Sequence, residues 1–372
     1  MAPLAGLKVV ELARILAGPW AGQVLADLGA EVIKIESPAG DDTRKWGPPF
    51  IENPDGSRDA GYFHAANRGK TSRVIDFTTP EGQEEVRSLI RAADVVIENF
   101  KVGGLAKYGL DYASLAMENP QLVYCSITGF GQDGPRAPQA GYDFIVQGMS
   151  GIMDLTGDPG GPPQKIGVAY ADIMTGLYAV IGIQAALAER EHSGLGQQVD
   201  MSLLDVMVGT LANQAMNYLV SGTAPTRLGN AHPNIAPYEA YPTADSWFIL
   251  AVGNDRQFQN FCEIVRLEPG PEFATNAERL ARRKDLSAMI CKATRQWARD
   301  DLLSALERAG VPAGPINSVA EAFADPQIAA RAMRLEMADD NDRTVPGVRL
   351  PVRFSRSSLA EPRPSPLLAS AS

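Results

Sequence analysis

Residues that form cross-links or bind metals are scarce in this sequence. Its 372 residues include three histidines and three cysteines, Cys125, Cys262 and Cys291. The cysteines lie far apart without a CxxC pair, and the histidines show no HxxxH spacing. A disulfide framework and a metal site are therefore not expected. Unpaired cysteines are typical of a reducing compartment, so the sequence predicts a cytoplasmic protein.

Long apolar runs and excess positive charge are also absent. The uncharged apolar run at residues 173–188 is shorter than the roughly 20 residues that a membrane-spanning helix needs. The net charge is −10, from 34 basic and 44 acidic side chains. Neither a membrane nor nucleic acid is consequently expected as a partner.

Two common catalytic or cofactor signatures are missing as well. The turn after the first predicted strand reads ARILAGPWAG and lacks GxGxxG, so NAD is not an expected cofactor. No GxSxG occurs, and the usual position of a serine nucleophile in an α/β-hydrolase is therefore absent.

The first third of the chain alternates strand and helix patterns. Helices are predicted at 20–30 and 79–93, the second with Thr79 as its N-cap and Pro80 at its first position. Strands joined by helical crossovers pair in parallel, so the pattern predicts an α/β fold with a mostly parallel sheet. The strand patterns are LKVVEL (7–12), EVIKIE (31–36), SRVIDF (72–77), DVVIEN (94–99) and LVYCSI (122–127).

The later chain has a different mixture of patterns. A long helix is predicted at about 172–192, ending at Gly194, and a second at about 201–221. The region 225–320 combines one hairpin with several helices, which predicts a smaller α+β domain. The hairpin is expected over 236–252, and the helices near 255–266, 284–308 and 318–333.

One acidic residue stands at the start of the long apolar helix. Asp172 is the only charged side chain in VAYADIMTGLY (168–178). An aspartate in this place is a good N-cap, and it is also a suitable nucleophile for acyl groups. The two roles are compatible, because the helix dipole favours the anion and is expected to lower the pKa of Asp172.

Four basic residues lie near the ends of predicted strands. In an open parallel sheet, ligands bind beyond the carboxyl ends of the strands. These residues therefore predict contacts with a phosphate-rich ligand, although a solvated charged surface would have the same pattern. They are Arg68, Lys70, Lys101 and Lys107.

Seven stretches together carry a family resemblance. In chain order they are LADLGAEVIKIE, NRGK, TPEG, VVIENF, SITGFGQDGP, AGYDF and ADIMTGLYAVIGIQAAL. In this order and spacing the sequence resembles the class III CoA-transferases of the CaiB/BaiF type, over about residues 4–360. The resemblance implies a Rossmann-like large domain, a small α+β domain and an interlocked homodimer. The implied boundaries are 1–200 with 325–372 for the large domain, 201–224 for a linker helix and 225–320 for the small domain.

The resemblance also implies a reaction and a nucleophile. Coenzyme A would pass from an acyl-CoA donor, such as succinyl-CoA, to a small carboxylic or dicarboxylic acid. Asp172 corresponds to the family nucleophile, which forms an aspartyl anhydride and then an aspartyl-CoA thioester. Because an anhydride hydrolyses readily, the Gly-rich loop at 156–163 is expected to serve as a lid.

Further site residues follow from the same resemblance. Those expected to contact CoA are Ile15, Leu16, Ala17, Asn99, Phe100, Lys107, Tyr142 and Asp143, with Arg68, Lys70 and Lys101 added on charge grounds. Those expected to face the acceptor are His232, Gly253 and Asn254. On charge grounds alone, Arg227 or Arg256 is a candidate partner for the distal carboxylate of a dicarboxylic acceptor.

Two other functions stay open at this point. The related 2-methylacyl-CoA racemases have His at the position of Tyr142, and a tyrosine, with a reference pKa near 10, is a poor base at pH 7. Transfer is therefore favoured over racemisation or epimerisation. A CoA-binding protein without catalysis is the third possibility, and the presence of Asp172 argues against it.

Overall fold

Thirteen strands and fifteen α-helices are found in the computed structural model, which describes residues 1–339 and 343–369. The strands are β1 (Lys8–Glu11), β2 (Glu31–Glu36), β3 (Phe50–Glu52), β4 (Arg58–Ala60), β5 (Thr71–Val74), β6 (Val95–Glu98), β7 (Val123–Thr128), β8 (Gln198–Ser202), β9 (Tyr238–Pro242), β10 (Trp247–Ala251), β11 (Ala313–Pro315), β12 (Arg334–Ala338) and β13 (Thr344–Val348). The helices are α1 (Ala17–Asp27), α2 (Gly61–Asn67), α3 (Pro80–Arg91), α4 (Tyr112–Glu118), α5 (Asp143–Met149), α6 (Ile152–Leu155), α7 (Tyr170–Ser193), α8 (Leu203–Gly209), α9 (Ala212–Ser221), α10 (Asp255–Val265), α11 (Asn276–Ala281), α12 (Arg283–Thr294), α13 (Arg299–Arg308), α14 (Val319–Ala324) and α15 (Pro326–Ala330).

The described chain divides into two compact units. The first contains residues 1–153 and 165–223 together with the chain from 326 onward. The second contains residues 154–164 and 224–325. The Gly-rich loop at 156–163 therefore belongs to the second unit, whereas Asp172 belongs to the first.

A six-stranded sheet with the order β5-β2-β1-β6-β7-β8 forms the centre of the first unit. Every neighbouring pair is parallel, as predicted. If only the strands of this sheet are numbered along the chain, their spatial order is that of a doubly wound, Rossmann-like fold. The chain adds β2 and β5 on one side of β1 and then returns to place β6 on the other. The topological switch point, where such folds bind ligands, therefore lies between β1 and β6.

The central strands β1, β6 and β7 are buried on both faces of the sheet. Val9 and Val95 face the side that α1 and α7 cover, and Val10 and Val96 face the opposite side, which α3 and α4 cover. Alternation along each strand thus supplies two separate cores from one set of valines and isoleucines.

The helix ends predicted at Thr79 and Gly194 in the first unit are confirmed. The hydroxyl of Thr79 accepts a hydrogen bond from Gly82 N, and Pro80 is the first residue of α3. Gly194 closes α7 and Gly222 closes α9, with φ angles of 74° and 70°. Such angles are in the left-handed region that favours glycine.

The prediction of a single helix at 201–221 is wrong. Residues 198–202 extend the sheet as β8, and two shorter helices follow, α8 and α9. Ser202 ends the strand and caps α8 by accepting a hydrogen bond from Asp205 N. Pairing with β7 provides the backbone partners that make this short polar segment a strand, and no local pattern announces it.

The second unit is built on an antiparallel sheet with the order β11-β10-β9. The predicted hairpin is confirmed, and Thr243 N donates to Ser246 O across its turn. Phe248 and Leu250 point from β10 into a core that α10, α12 and α13 complete. The long helix predicted at 284–308 is interrupted, because residues 295–298 separate α12 from α13.

Candidate active site at the carboxyl edge of the sheet

Two loops are joined at the switch point by the side chain of Asn99. Its amide nitrogen donates to Arg14 O at 2.7 Å, and its oxygen accepts from Arg14 N at 2.9 Å. The preceding Glu98 accepts a hydrogen bond from Phe100 N at 2.8 Å. The loops that follow β1 and β6 are therefore held side by side, which brings Asn99 and Phe100 next to the segment that begins at Ile15.

The loop after β1 has an unusual backbone at Ile15. Its φ angle is 71°, a left-handed conformation that a β-branched residue adopts only under constraint. Ile15 N donates to Asp41 Oδ2 at 3.3 Å. Leu16 and Ala17, which lead into α1, have buried side chains. A ligand at this loop would consequently meet backbone amides at the start of α1 rather than those two side chains.

A cluster of buried charged side chains forms hydrogen bonds to the backbone of this loop. Lys34 Nζ lies 2.9 Å from Asp41, 3.2 Å from Glu11 and 2.9 Å from the carbonyl oxygen of Ala13. Lys70 Nζ lies 2.8 Å from the other oxygen of Glu11. Burial lowers the pKa of Lys70 to about 8, and the neighbouring Glu11 opposes that effect. These charges are fully removed from solvent and neutralise one another.

The predicted phosphate contacts of Lys70 and Arg68 are wrong. The ammonium group of Lys70 is enclosed by Glu11, Asn67 and the carbonyl oxygen of Pro19. Arg68 is also buried and forms a two-pronged ion pair with Asp27. Both cations are committed to internal partners, so neither is available to an incoming phosphate.

Exposed positive charge at this edge comes instead from Arg14, Lys101 and Lys107. The guanidinium of Arg14 lies 5.4 Å from the centre of the Phe100 ring, and Lys107 lies 4.6 Å from that of Tyr108. The ring of Phe77 touches both aromatic rings, at 5.9 and 5.5 Å. Arg14, Phe100 and Lys107 therefore border one cationic and aromatic patch.

Arg14 was not among the predicted site residues. Its side chain is 54% exposed, and its backbone is the partner of Asn99. The signal in the sequence was its position directly after the first strand, within ELARILAGP. An arginine that follows a strand at the switch point is well placed to meet an anion.

Asp172 is a first-turn residue of α7 rather than its N-cap. The helix begins at Tyr170, and Ala169 at the N-cap position provides no side-chain hydrogen bond. The cap comes from Asp143, whose Oδ1 accepts from Ala171 N at 2.8 Å and from Asp172 N at 3.4 Å. The predicted capping role of Asp172 is therefore wrong.

The predicted decrease in the pKa of Asp172 is also wrong. Burial, and secondly the negative charge of Asp143, raise the pKa of Asp172 from 3.8 to about 7. The helix amides that would have favoured the Asp172 anion are directed at Asp143. The side chain of Asp172 is only partly exposed, so water does not replace them.

Asp172 lies close to the loop after β1. A Cβ atom on Gly176, one helical turn further along α7, would be only 2.7 Å from Ala17 O. This glycine allows the start of α7 to approach the start of α1. Tyr62 is a further neighbour, since burial and then the charges of Asp172, Asp143 and Asp41 raise its pKa to about 12. No motif in the sequence singled out Tyr62.

Tyr142, which was predicted together with Asp143 from the AGYD motif, is at the surface. Tyr142, at the N-cap position of α5, is 68% exposed. Its neighbour Asp143 is turned toward α7, as described above. The two residues therefore contribute differently, one through an exposed ring and the other through internal hydrogen bonds.

The predicted acceptor residues meet at one end of the sheet in the second unit. The ring of His232 lies 5.2 Å from that of Tyr238, which is opposite Ala251 in the β9–β10 pair. Gly253 and Asn254 follow that strand, and both bond to Gln257 at the start of α10. The chain thus brings His232 and the 253–254 turn to the same edge.

The two candidate arginines of this unit differ in their environment. Arg227 donates to Asp154 at 2.9 Å, with its side chain 18% exposed. Arg256 is exposed in the first turn of α10, close in sequence to Asn254. Arg256 is therefore the better placed of the two to pair with an incoming carboxylate.

Two general searches of the described residues complete the description. Within 1–339 and 343–369, no group of three or more His, Cys, Asp or Glu side chains is arranged to hold a metal ion. One helix, α7, is long and apolar enough to cross a membrane by length and composition alone. It packs against α1 and against the sheet within the first unit.

Comparisons with known proteins agree with the motif resemblance. The model of CoA-transferase family III matches residues 4–371. A succinate–glutarate CoA-transferase of Agrobacterium fabrum is 58% identical over 98% of this chain and 93% of its own length. A succinyl-CoA:glutarate CoA-transferase of Homo sapiens is 39% identical over 98% of this chain and 83% of its own. The crystal structure of a CaiB/BaiF family protein from Brucella suis, 60% identical, has a TM-score of 0.90 over 99% of this chain and 96% of that one.

The raised pKa of Asp172 predicts that its charge destabilises the fold. The unfolded chain ionises this group near pH 4 and the folded protein near pH 7, so stability is lost as the pH rises between these values. Asp172→Asn should therefore increase the free energy of unfolding at pH 8 by about 1–3 kcal/mol, with a smaller gain at pH 5. Urea denaturation at both pH values, with Asp133→Asn as an exposed control in the same unit, would measure this. An equal effect at pH 5 and pH 8 would contradict it.

Proposed function

We propose that this chain, which belongs to CoA-transferase family III, moves coenzyme A from succinyl-CoA to glutarate or a dicarboxylic acid of similar length. It is an enzyme, a CoA-transferase. The observation that carries the finer proposal is the 58% identity, across 98% of the chain, with a relative named for succinate and glutarate. The human relative at 39% identity is named for the same pair of acids.

We assign the role of nucleophile to Asp172. Support comes from its position at the carboxyl edge of the sheet, beside the loop at 15–17, and from the partial burial of its carboxyl group. A carboxylate with a pKa near 7 is more basic, and hence more nucleophilic, than an exposed aspartate.

The proposed reaction needs only carboxylates and one thiolate. Asp172 attacks the thioester carbonyl of succinyl-CoA, the C–S bond breaks, and an anhydride and CoA thiolate form. The thiolate attacks the aspartyl carbonyl, which releases succinate and leaves an aspartyl-CoA thioester. Glutarate attacks that thioester, and the thiolate then attacks the glutaryl carbonyl of the second anhydride. Glutaryl-CoA leaves and Asp172 is restored, without net proton transfer.

CoA is proposed to lie along the carboxyl edge of the first unit. The acyl and pantetheine parts would contact the 15–17 backbone, and the nucleotide would contact Asn99, Phe100 and the exposed cations. Tyr142 is proposed as an exposed contact beside Asp172. In the second unit, His232, Gly253 and Asn254 are proposed to contact the acceptor, with Arg256 pairing its distal carboxylate.

A second copy of the chain is the proposed protein partner. Helices α5, α7 and α9 carry exposed apolar side chains that a monomer would leave in water, which marks an interaction surface. They are Phe144, Ile145, Tyr178, Ile181, Leu219 and Val220. Burial of this face in a homodimer also explains why α7 is apolar around most of its circumference. We propose the cytoplasm as the enzyme's compartment, because three unpaired cysteines are typical of a reducing environment.

The proposed reaction predicts formation of glutaryl-CoA from succinyl-CoA and glutarate, detected by mass spectrometry. Asp172→Asn and Asp172→Ala should lower kcat by at least about 10³-fold, because no covalent intermediate can form. CoA affinity, measured by calorimetry, should change by less than about threefold, because Asp172 is not one of the proposed CoA contacts. Asp300→Asn, on the exposed face of α13, is the control.

Three outcomes would decide against parts of this proposal. Full activity of Asp172→Ala would remove the nucleophile. Transfer to another acid but not to glutarate would change the acceptor. Incorporation of deuterium at the α-carbon of a 2-methylacyl-CoA, without any acceptor, would favour the racemase instead.

The position of CoA predicts a selective effect of two exposed cations. Arg14→Ala or Lys107→Ala should raise the KM for succinyl-CoA roughly 10- to 150-fold, because a charge-assisted hydrogen bond contributes about 1.5–3 kcal/mol. The value of kcat should stay within about twofold, since neither cation lies at the reacting carbonyl. Arg91→Ala, the control, removes another exposed arginine, which is paired with Glu84 and Glu118. If all three variants raise KM alike, the patch is not the CoA site.

The proposed dimer predicts a species of twice the chain mass in sedimentation velocity experiments. Ile181, 61% exposed in the middle of the apolar face, is the residue to change. Ile181→Asp should shift the protein toward monomer, because it would bury an unpaired charge in the interface. Met117→Asp, at an exposed apolar position on α4, should leave the dimer intact. A monomeric native protein, or a dimeric Ile181→Asp variant, would refute this arrangement.

A further inference from the structure

The first turn of α7 is capped by another helix. Four backbone N–H groups at the start of any α-helix lack intrahelical acceptors. Ala169 offers no side-chain acceptor for them. Asp143 Oδ1, at the start of α5, accepts from Ala171 N at 2.8 Å and Asp172 N at 3.4 Å. The amide of the proposed nucleophile is thus held by a carboxylate 29 residues earlier in the chain.

A buried glutamine extends this cap to the segment that precedes α7. Gln147 Nε2 donates to Asp143 Oδ2 at 2.8 Å, and its Oε1 accepts from Ile166 N at 2.9 Å. The side chain of Gln147 is fully buried in the first unit. Because residues 143 and 147 are one turn apart on α5, their side chains lie on the same face. Together they fix both the entry to α7 and its first turn.

The same arrangement places the carboxylate of Asp143 against the first turn of α7, which carries Asp172. The neighbouring charge that acts on Asp172 is that of Asp143. From α2, Tyr62 faces both carboxylates and also Asp41, and it is neutral at physiological pH. The amides that would otherwise stabilise the Asp172 anion are taken by Asp143. The negative charge of Asp143 therefore repels the Asp172 carboxylate, and the amides at the start of α7 do not offset that repulsion.

We infer that Asp143 is a positioning residue, which holds the first turn of α7 in place and sets a second negative charge beside the nucleophile. This inference rests on the proposed function only in naming Asp172 the nucleophile. It differs from the expectation that Asp143 contacts CoA, because both of its oxygens are engaged by α5 and α7. The repulsion makes the Asp172 carboxylate more basic and thus more reactive toward the thioester.

Asp143→Asn separates the two contributions of this residue. The amide oxygen can still accept from Ala171 N and Asp172 N, but the negative charge is removed. The hydrogen bond from Gln147 Nε2 is lost as well, because an amide nitrogen cannot accept it, so Gln147→Leu, which loses the same bond at constant charge, is the reference. In the native enzyme kcat/KM should rise with pH through about 7, the pKa of Asp172. In Asp143→Asn this rise should move to lower pH by about one unit. Asp143→Ala also loses the cap and should lower kcat by about 10²-fold through misplacement of Asp172.

Gln147→Leu removes the second part of the cap without changing charge. We expect a lower kcat and no movement of the pH profile. Asp300→Asn is the matched control, since it removes an exposed acidic residue from the first turn of α13. Circular dichroism and the melting temperature of each variant identify any that fail to fold.

A measurement that needs no substrate tests the same inference. Asp172→Asn is expected to raise the melting temperature increasingly between pH 5 and 8. In the Asp143→Asn background that increase should be smaller and should be complete at lower pH. This double-mutant cycle of melting temperatures, called the stability cycle, can succeed even if glutarate proves to be the wrong acceptor. Failure of the proposed function and failure of this inference are thereby distinguishable.

Two results would overturn the inference. One is an unchanged pH profile in Asp143→Asn together with a raised KM for acyl-CoA, which would make Asp143 a CoA contact. The other is an unchanged stability cycle, which would show that its charge does not act on Asp172.

Discussion

The buried ion cluster beneath the carboxyl edge of the sheet is the constraint on which the site depends. Lys34 joins Glu11 and Asp41, and it also holds the carbonyl oxygen of Ala13. Asp41 in turn accepts from the amide of Ile15, whose left-handed backbone would otherwise relax. Charges this deeply buried cost free energy unless they are paired. Their pairing therefore couples sheet formation to the shape of the loop where the proposed CoA site begins.

A second constraint governs Asp172, the proposed nucleophile. A helix start normally stabilises an anion, but in α7 the stabilising amides are directed at Asp143. Asp172 is left with partial burial and a like charge, and its pKa rises accordingly. Such a strained electrostatic environment is typical of catalytic groups, which are held in a reactive form at some cost in stability. The burial of apolar side chains in the large core that α1 and α7 share with the sheet offsets this cost in stability.

Much of the fold was predictable because its signals are local. The five apolar strand patterns, the cap at Thr79 and the closing glycine at 194 all depend on neighbouring residues. β8 was missed because its pairing with β7 is a long-range interaction. Arg68 and Lys70 were misjudged for the same reason. Their partners, Asp27 and Glu11, lie 41 and 59 residues away, and no sequence pattern indicates which cations will be enclosed.

The sequence by itself determined the alternation of strands and helices, the family and the aspartate that its motifs single out. These follow from periodicity and from ordered motifs, which are properties of neighbouring residues in the chain. Only the tertiary structure decided which cations stay in water, that Arg14 lies on the aromatic patch, and that Asp143 caps the helix of Asp172. Burial and charge pairing depend on residues that are distant in sequence, so the pKa of Asp172 is a property of the folded unit.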